Sequence, residues 1–224
     1  QSQKIHATPF YPIEYHGPTL NYLTLVSSTI AGIHSFANVT EYTIRLVPAF
    51  ISVLFILLIF FLFPREKKYL KYLIIILLSV SPIFIFYSRY YIQEVLLVSF
   101  AYSLVFICYK YFQSKKTNYI ILAGILTGLI FATKETSIIT FGSGITSILL
   151  LFLLNNNFRK KISISAIHIL LFLSSAIFVS ILFYSSFFSN YEGIVDSLKT
   201  FSNYFSKASK NSDHIQSWYY YIEL

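Results

Sequence analysis

The sequence reads as an all-α, polytopic bundle of transmembrane helices with an extracytoplasmic interfacial helix, and three features lead there. Of its 224 residues, 56% are hydrophobic and 19% aromatic, while only 12% are charged; soluble domains carry about 25% charged residues. Apolar runs long enough, or nearly so, to cross a hydrocarbon layer of about 30 Å recur along the chain. Lys and Arg gather in three loops separated by two such runs each, the bias that marks the cytoplasmic side of membrane proteins. This composition argues against a water-soluble enzyme and excludes a disordered chain.

Residues 1–42 form the first segment. Its run Leu20 to Ile33 is short and carries Asn21, Ser27, Ser28 and Thr29, so a helix lying along the membrane surface is expected rather than a span. Six spans follow within residues 43–184: Thr43 to Phe63, Tyr72 to Phe86, Val95 to Tyr111, Tyr119 to Thr133, Ser137 to Leu154 and Ile162 to Tyr184. The loops holding Arg65, Lys67, Lys68 and Lys71, then Lys110, Lys115 and Lys116, then Arg159, Lys160 and Lys161 fall on one face by parity. The connections 87–94 and 134–136, the loop 35–42 and everything after Ser185 fall on the other, extracytoplasmic face. Residues 185–224 are expected to hold an amphipathic helix with Ile194, Leu198, Phe201 and Phe205 on its apolar side, leading towards a further span at Trp218. The chain contains no Met and stops as that apolar stretch begins, so it is read as a portion of a longer protein.

Ten of the seventeen Lys and Arg lie in the three inner loops, so the net charge of +8 requires no nucleic acid partner. The single Cys108 has no partner for an internal disulfide. No Cys pair, HExxH, phosphate-binding glycine loop or GxSxG elbow is present, and no spacing of ligands suggests a metal. Gly124 to Gly128 is a small-xxx-small pattern, expected to bring two helices close.

The unusual residues are ionisable groups at the outer ends of spans. Arg89 and Glu94 flank the turn between two spans, where charges are costly unless paired or wet. The structural alternative is a snorkelling Arg89 and a Glu94 that caps the next helix. Lys134 in Thr133-Lys-Glu-Thr136 runs against the positive-inside bias and is placed to neutralise a phosphate; the alternative is a self-paired Lys134 and Glu135. His16 stands in the rigid turn His16-Gly17-Pro18, and Arg45 opens a span as an anchor or a site residue. Tyr90 and Trp218 belong to aromatic clusters that serve either as interfacial belts or as sugar platforms.

Taken in order, the motifs Tyr11-Pro-Ile-Glu14-Tyr-His16-Gly-Pro18, Glu41-Tyr-Thr-Ile-Arg45-Leu-Val-Pro48, Ser88-Arg89-Tyr90-Tyr-Ile-Gln-Glu94 and Gly128-Leu-Ile-Phe-Ala-Thr-Lys134-Glu135-Thr136 resemble one family. It is that of the archaeal flippase-activity-associated proteins of surface glycosylation, grouped with the protein O-mannosyltransferases and the lipid A aminoarabinose transferase in the GT-C superfamily. The segments around Tyr184 and from His214 to Tyr221 are similar too. The resemblance implies a multi-pass enzyme of the cell membrane that moves a sugar from a polyprenyl-phosphate donor to a protein, glycan or lipid acceptor at the extracytoplasmic face, with no cofactor beyond that lipid-linked donor. It also implies a catalytic Asp-Glu pair upstream of the His-Gly-Pro turn, before this sequence starts. Within the sequence, Glu94 and His16 become the catalytic candidates and Lys134 and Arg89 the contacts to the donor phosphate, with Glu135, Glu14, Arg45, Tyr90 and Trp218 in a second line. A non-catalytic flippase or transporter component for lipid-linked sugars is the competing reading, and a membrane scaffold the third.

Overall fold

A computed structural model describes residues 16–33, 35–62, 67–156, 159 and 164–209, and among them the secondary structure is helical. In chain order the helices are α1 (Thr19–Ile30), α2 (Glu41–Leu62), α3 (Lys68–Val80), α4 (Pro82–Arg89), α5 (Glu94–Ser114), α6 (Thr117–Phe131), α7 (Ser137–Leu154), α8 (Ala166–Tyr184) and α9 (Glu192–Ser209). Four of them, α2, α5, α7 and α8, are long and apolar enough to cross a membrane.

The expected single span over Tyr72 to Phe86 is instead broken. Helix α3 stops at Val80 and α4 restarts at Pro82, the two bent by 61°. Pro82 has no N–H to continue the ladder, and Ser81 turns extended and accepts a hydrogen bond from the Phe84 N–H, capping the second helix. The pair counts as one broken span or as a re-entrant element, giving five spans at most among helices that meet the length criterion.

Helix α6 is the centre of the packing, held between α5 and α8. Its 15 residues rise about 22 Å at 1.5 Å each, short of the hydrocarbon thickness, and it is predominantly apolar, with Ile120, Ala123, Gly124, Leu126, Gly128 and Ile130 buried. Gly124 and Gly128 let the backbone of α8 come into contact: a Cβ at Gly124 would lie 2.4 Å from the Phe172 carbonyl oxygen, and one at Gly128 would lie 2.6 Å from that of Ala176. The small-xxx-small expectation is met in this way. Helix α7, by contrast, touches the rest mainly at its start and has only 6% of its span buried, so Ile145, Leu149 and Leu153 present an apolar surface suited to lipid.

Neighbouring helices alternate in direction. One end of the bundle therefore gathers Lys110, Lys115 and Lys116 with the start of α8, where Tyr111 bonds His168 Nδ1 at 2.8 Å. The other end gathers the starts of α2, α5, α7 and α9 and the ends of α4, α6 and α8. Helix α1, 12 residues long, lies across this second end against α2. Helix α9 is amphipathic and packs by its small-residue side. Gly193, Ser197 and Thr200 are buried, while Leu198 is 67% exposed and Val195 56%. The reason is space: a Cβ at Gly193 would stand 2.1 Å from the Tyr184 carbonyl oxygen, so only the small-residue side fits against α8. The side chains of Phe201 and Phe205 lie outside the described residues.

Replacing Gly128 by Leu should push α8 from α6 and destabilise the protein by about 1–3 kcal/mol. Gly142→Ala, at a position with nothing within 4 Å, should leave it unchanged or slightly firmer. Thermal unfolding of the purified proteins in one detergent would check both.

Candidate functional site

The last backbone carbonyls of a helix have no partner within it, and a buried end must find them elsewhere. Helix α6 ends where α1 and α8 converge. The Thr19 hydroxyl donates to the Ala132 carbonyl at 2.8 Å, the Thr19 N–H reaches the same oxygen at 3.4 Å, and the Tyr184 hydroxyl donates to the Phe131 carbonyl at 3.0 Å. Thr19, Ala132, Thr133 and Tyr184 are all buried. Gly17 is required in this joint, because a Cβ there would meet the Ala132 oxygen at 2.1 Å. The turn after α6 is therefore fixed from two sides, and its next residues are Lys134 and Glu135.

These two do not pair with each other. Lys134 Nζ forms an ion pair with Glu94 at the first position of α5, and Glu135 accepts from His16 Nδ1 at 2.8 Å. The sequence alternative of a self-paired Lys134 and Glu135 is thereby overturned. The four residues make a chain, Glu94 to Lys134, along the backbone to Glu135, and on to His16. It draws on α5, the α6–α7 turn and the entry to α1. Lys134 is 14% exposed in its side chain and Glu94 28%, whereas the second carboxylate oxygen of Glu94, Oε2, is buried with no hydrogen-bond partner among the described residues.

Burial is the largest influence on Glu135 and works against its ionisation. The bonds from His16 and from its own backbone N–H, with the charges of His16 and Lys134, together outweigh it and hold the carboxyl below the ordinary glutamate value. Beside the cluster, Tyr91 ties the α4–α5 connection to α1: its hydroxyl donates to Asn21 Oδ1 at 3.1 Å and shares a hydrogen bond of 2.9 Å with the Thr24 hydroxyl. Burial pushes the Tyr91 phenol up, so it acts as a neutral hydroxyl near the turn that carries Arg89.

The remaining candidates separate. Arg89, at the end of α4, is exposed and has no ion-pair partner among the described residues. Arg45 is engaged with Glu41 one turn earlier on α2 and does not join the cluster. Tyr90 stacks on Phe86 at 5.3 Å, with half its surface exposed. Glu14 and Trp218 lie outside the described residues. Sequence reasoning gave no site role to Thr19, Tyr91 or Tyr184, which touch backbone or other side chains rather than carry charge; Tyr91 and Tyr184 stand in segments that resemble the family, but nothing there indicated these bonds, and no motif marked Thr19. Among the described residues no group of three or more His, Cys, Asp or Glu is placed to hold a metal ion.

The lowered value of Glu135 has a definite sign. The stability it supplies is present above the unfolded glutamate value of 4.5 and is lost as pH falls through the lower folded value. Glu135→Gln should therefore unfold a few degrees earlier than wild type at pH 7, and the gap should close as the pH is taken well below 4.5. Melting curves across that range check this.

The model of the dolichyl-phosphate-mannose-protein mannosyltransferase family matches residues 16–184, which begin at His16 and end at Tyr184 and so contain the whole charge cluster. No curated protein and no solved structure matches the chain significantly. Because the match spans about three-quarters of the sequence, the chain belongs to the dolichyl-phosphate-mannose-protein mannosyltransferase family.

Proposed function

We propose that the protein transfers a sugar from a polyprenyl-phosphate donor to an acceptor at the extracytoplasmic face, and that the cluster at the α5 and α6 ends is where it does so. Family membership makes it a mannosyltransferase-like membrane glycosyltransferase of the GT-C type, using a lipid-linked sugar and, in general, a protein acceptor. The apolar helices support a multi-pass membrane protein. The extracytoplasmic assignment rests on charge: the basic loops Lys67 to Lys71 and Lys110 to Lys116 stand at the end of the bundle opposite the cluster.

The observation that carries the reading is the placement of Lys134. It is a mostly buried ammonium at a helix end beside an apolar, lipid-suited helix, which fits a donor that is half hydrocarbon and half sugar-phosphate. In the transfer, the bond from the sugar C1 to the phosphate oxygen breaks and a bond from C1 to the acceptor hydroxyl oxygen forms. The hydroxyl proton passes to a base, and the polyprenyl phosphate leaves with the bonding electron pair. Lys134 and, from the neighbouring turn, Arg89 stabilise the negative charge growing on that phosphate. Glu94 and His16 are the groups within the described residues suited to orient the acceptor or take its proton, His16 through the ring nitrogen not engaged by Glu135. Glu135 acts through His16 as a positioning residue.

The test is transfer of a radiolabelled polyprenyl-phosphate sugar in membranes containing the full-length protein. Lys134→Ala should lower the rate by about a hundredfold at unchanged protein level, and Arg89→Ala should lower it less, because Arg89 is exposed to water. Wild type giving no transfer while donor crosses the bilayer would overturn the reading in favour of a flippase component.

A further inference from the structure

Lys134 attracts a phosphate only weakly while its charge is compensated by Glu94. In the structure its ammonium is mostly buried and already ion-paired with Glu94, and its charge also acts on Glu135, the next residue, itself bonded to His16. Its one positive charge is set against two carboxylates, so the four residues carry no positive excess whether or not His16 holds a second proton. A phosphodiester bearing one negative charge gains little from such a cluster unless a carboxylate gives way. Glu135 is not the one to move, being held by His16 at 2.8 Å through either carboxylate oxygen. Glu94 is: only one of its oxygens is engaged, and Oε2 is buried without a partner among the described residues, a half-satisfied state that costs free energy.

From this we infer that Glu94 is an internal stand-in for the donor phosphate: it holds Lys134 in the empty site, and the incoming phosphate displaces it by ion-pair exchange. The inference rests on reading Lys134 as the phosphate contact. Exchange leaves the buried Lys134 charge compensated throughout, first by a carboxylate and then by the phosphate, so no step exposes an unpaired cation to the apolar surroundings. It also frees the Glu94 carboxylate only when donor is present, so that a group able to orient the acceptor is released on demand. Specificity follows, because a lipid-linked sugar without an anionic phosphate has nothing with which to displace Glu94.

Binding and turnover of the Glu94→Gln variant should then move in opposite directions. The neutral amide competes less well for Lys134, so the full-length protein in lipid nanodiscs should bind farnesyl phosphate, used as the probe, about fivefold more tightly. Sugar transfer by the same variant should fall, giving a lower KM for donor with a lower kcat. Glu94→Asp, which keeps the charge but shortens the side chain, should lie between wild type and Glu94→Gln in binding, and it keeps the test open if the amide variant fails to fold. A fixed brace between α5 and the α6–α7 turn predicts the contrary, since its loss would loosen the site and weaken binding. If Lys134→Ala weakens farnesyl phosphate binding but neither Glu94 variant tightens it, the exchange is wrong and the phosphate contact stands. If Lys134→Ala binds the probe as wild type does, both fall together.

Discussion

The end of helix α6 is the constraint on which the site depends. A 15-residue apolar helix buried between two longer ones cannot leave its final carbonyls in an apolar medium without partners, where each lost hydrogen bond costs a few kcal/mol. Thr19 and Tyr184 supply those partners from opposite sides, so α1 and α8 are tied to the same turn. Fixing that turn fixes Lys134 and Glu135 as well. Gly17 and Gly193 serve the same joint from outside by letting backbones approach within distances that no Cβ allows. Close packing of α6 on α8 through Gly124 and Gly128 keeps the helix in place.

Charge placement then turns a structural joint into a candidate site. Two carboxylates, an ammonium and an imidazole meet at one end of the bundle, drawn from segments as far apart as His16 and Glu135. The α8–α9 connection is strained next to them: Ser186, Phe187 and Phe188 all have left-handed backbone angles, at φ 52°, 57° and 67°. Phe187 holds Tyr22 of α1 edge-to-face at 5.1 Å, so packing between α1 and this connection offsets part of that strain. Such strain accumulates where a structure must present particular groups rather than relax.

Much of this was legible in the sequence, and the parts that were not have physical reasons. Apolar runs gave the helices because burial in lipid demands length and leaves a compositional trace. Basic loops separated the two ends, and ionisable residues at the wrong end for the positive-inside bias pointed to Lys134. Pairing was not legible: Lys134 sits next to Glu135 in sequence yet bonds Glu94, 40 residues away, and Glu135 bonds His16, 119 residues away. Periodicity places residues on faces and ends but carries no information on which end residues meet. The break at Pro82 had a local signal in the proline itself, which the strength of the surrounding apolar run obscured. Which side of α9 meets α8 was not legible either, because that contact is decided by the smallest side, Gly193, Ser197 and Thr200, and not by the most apolar one.

The central claim is that the donor phosphate lies at the His16, Glu94, Lys134 and Glu135 cluster. It is tested most directly by photocrosslinking the full-length membrane protein with a short polyprenyl phosphate whose photoreactive group sits on the isoprene unit next to the phosphate. The account predicts label on peptides from 89–94 and 131–137, competed away by unlabelled polyprenyl phosphate. Label concentrated instead around Tyr111, Lys115 and His168, at the opposite end of the bundle, would contradict it.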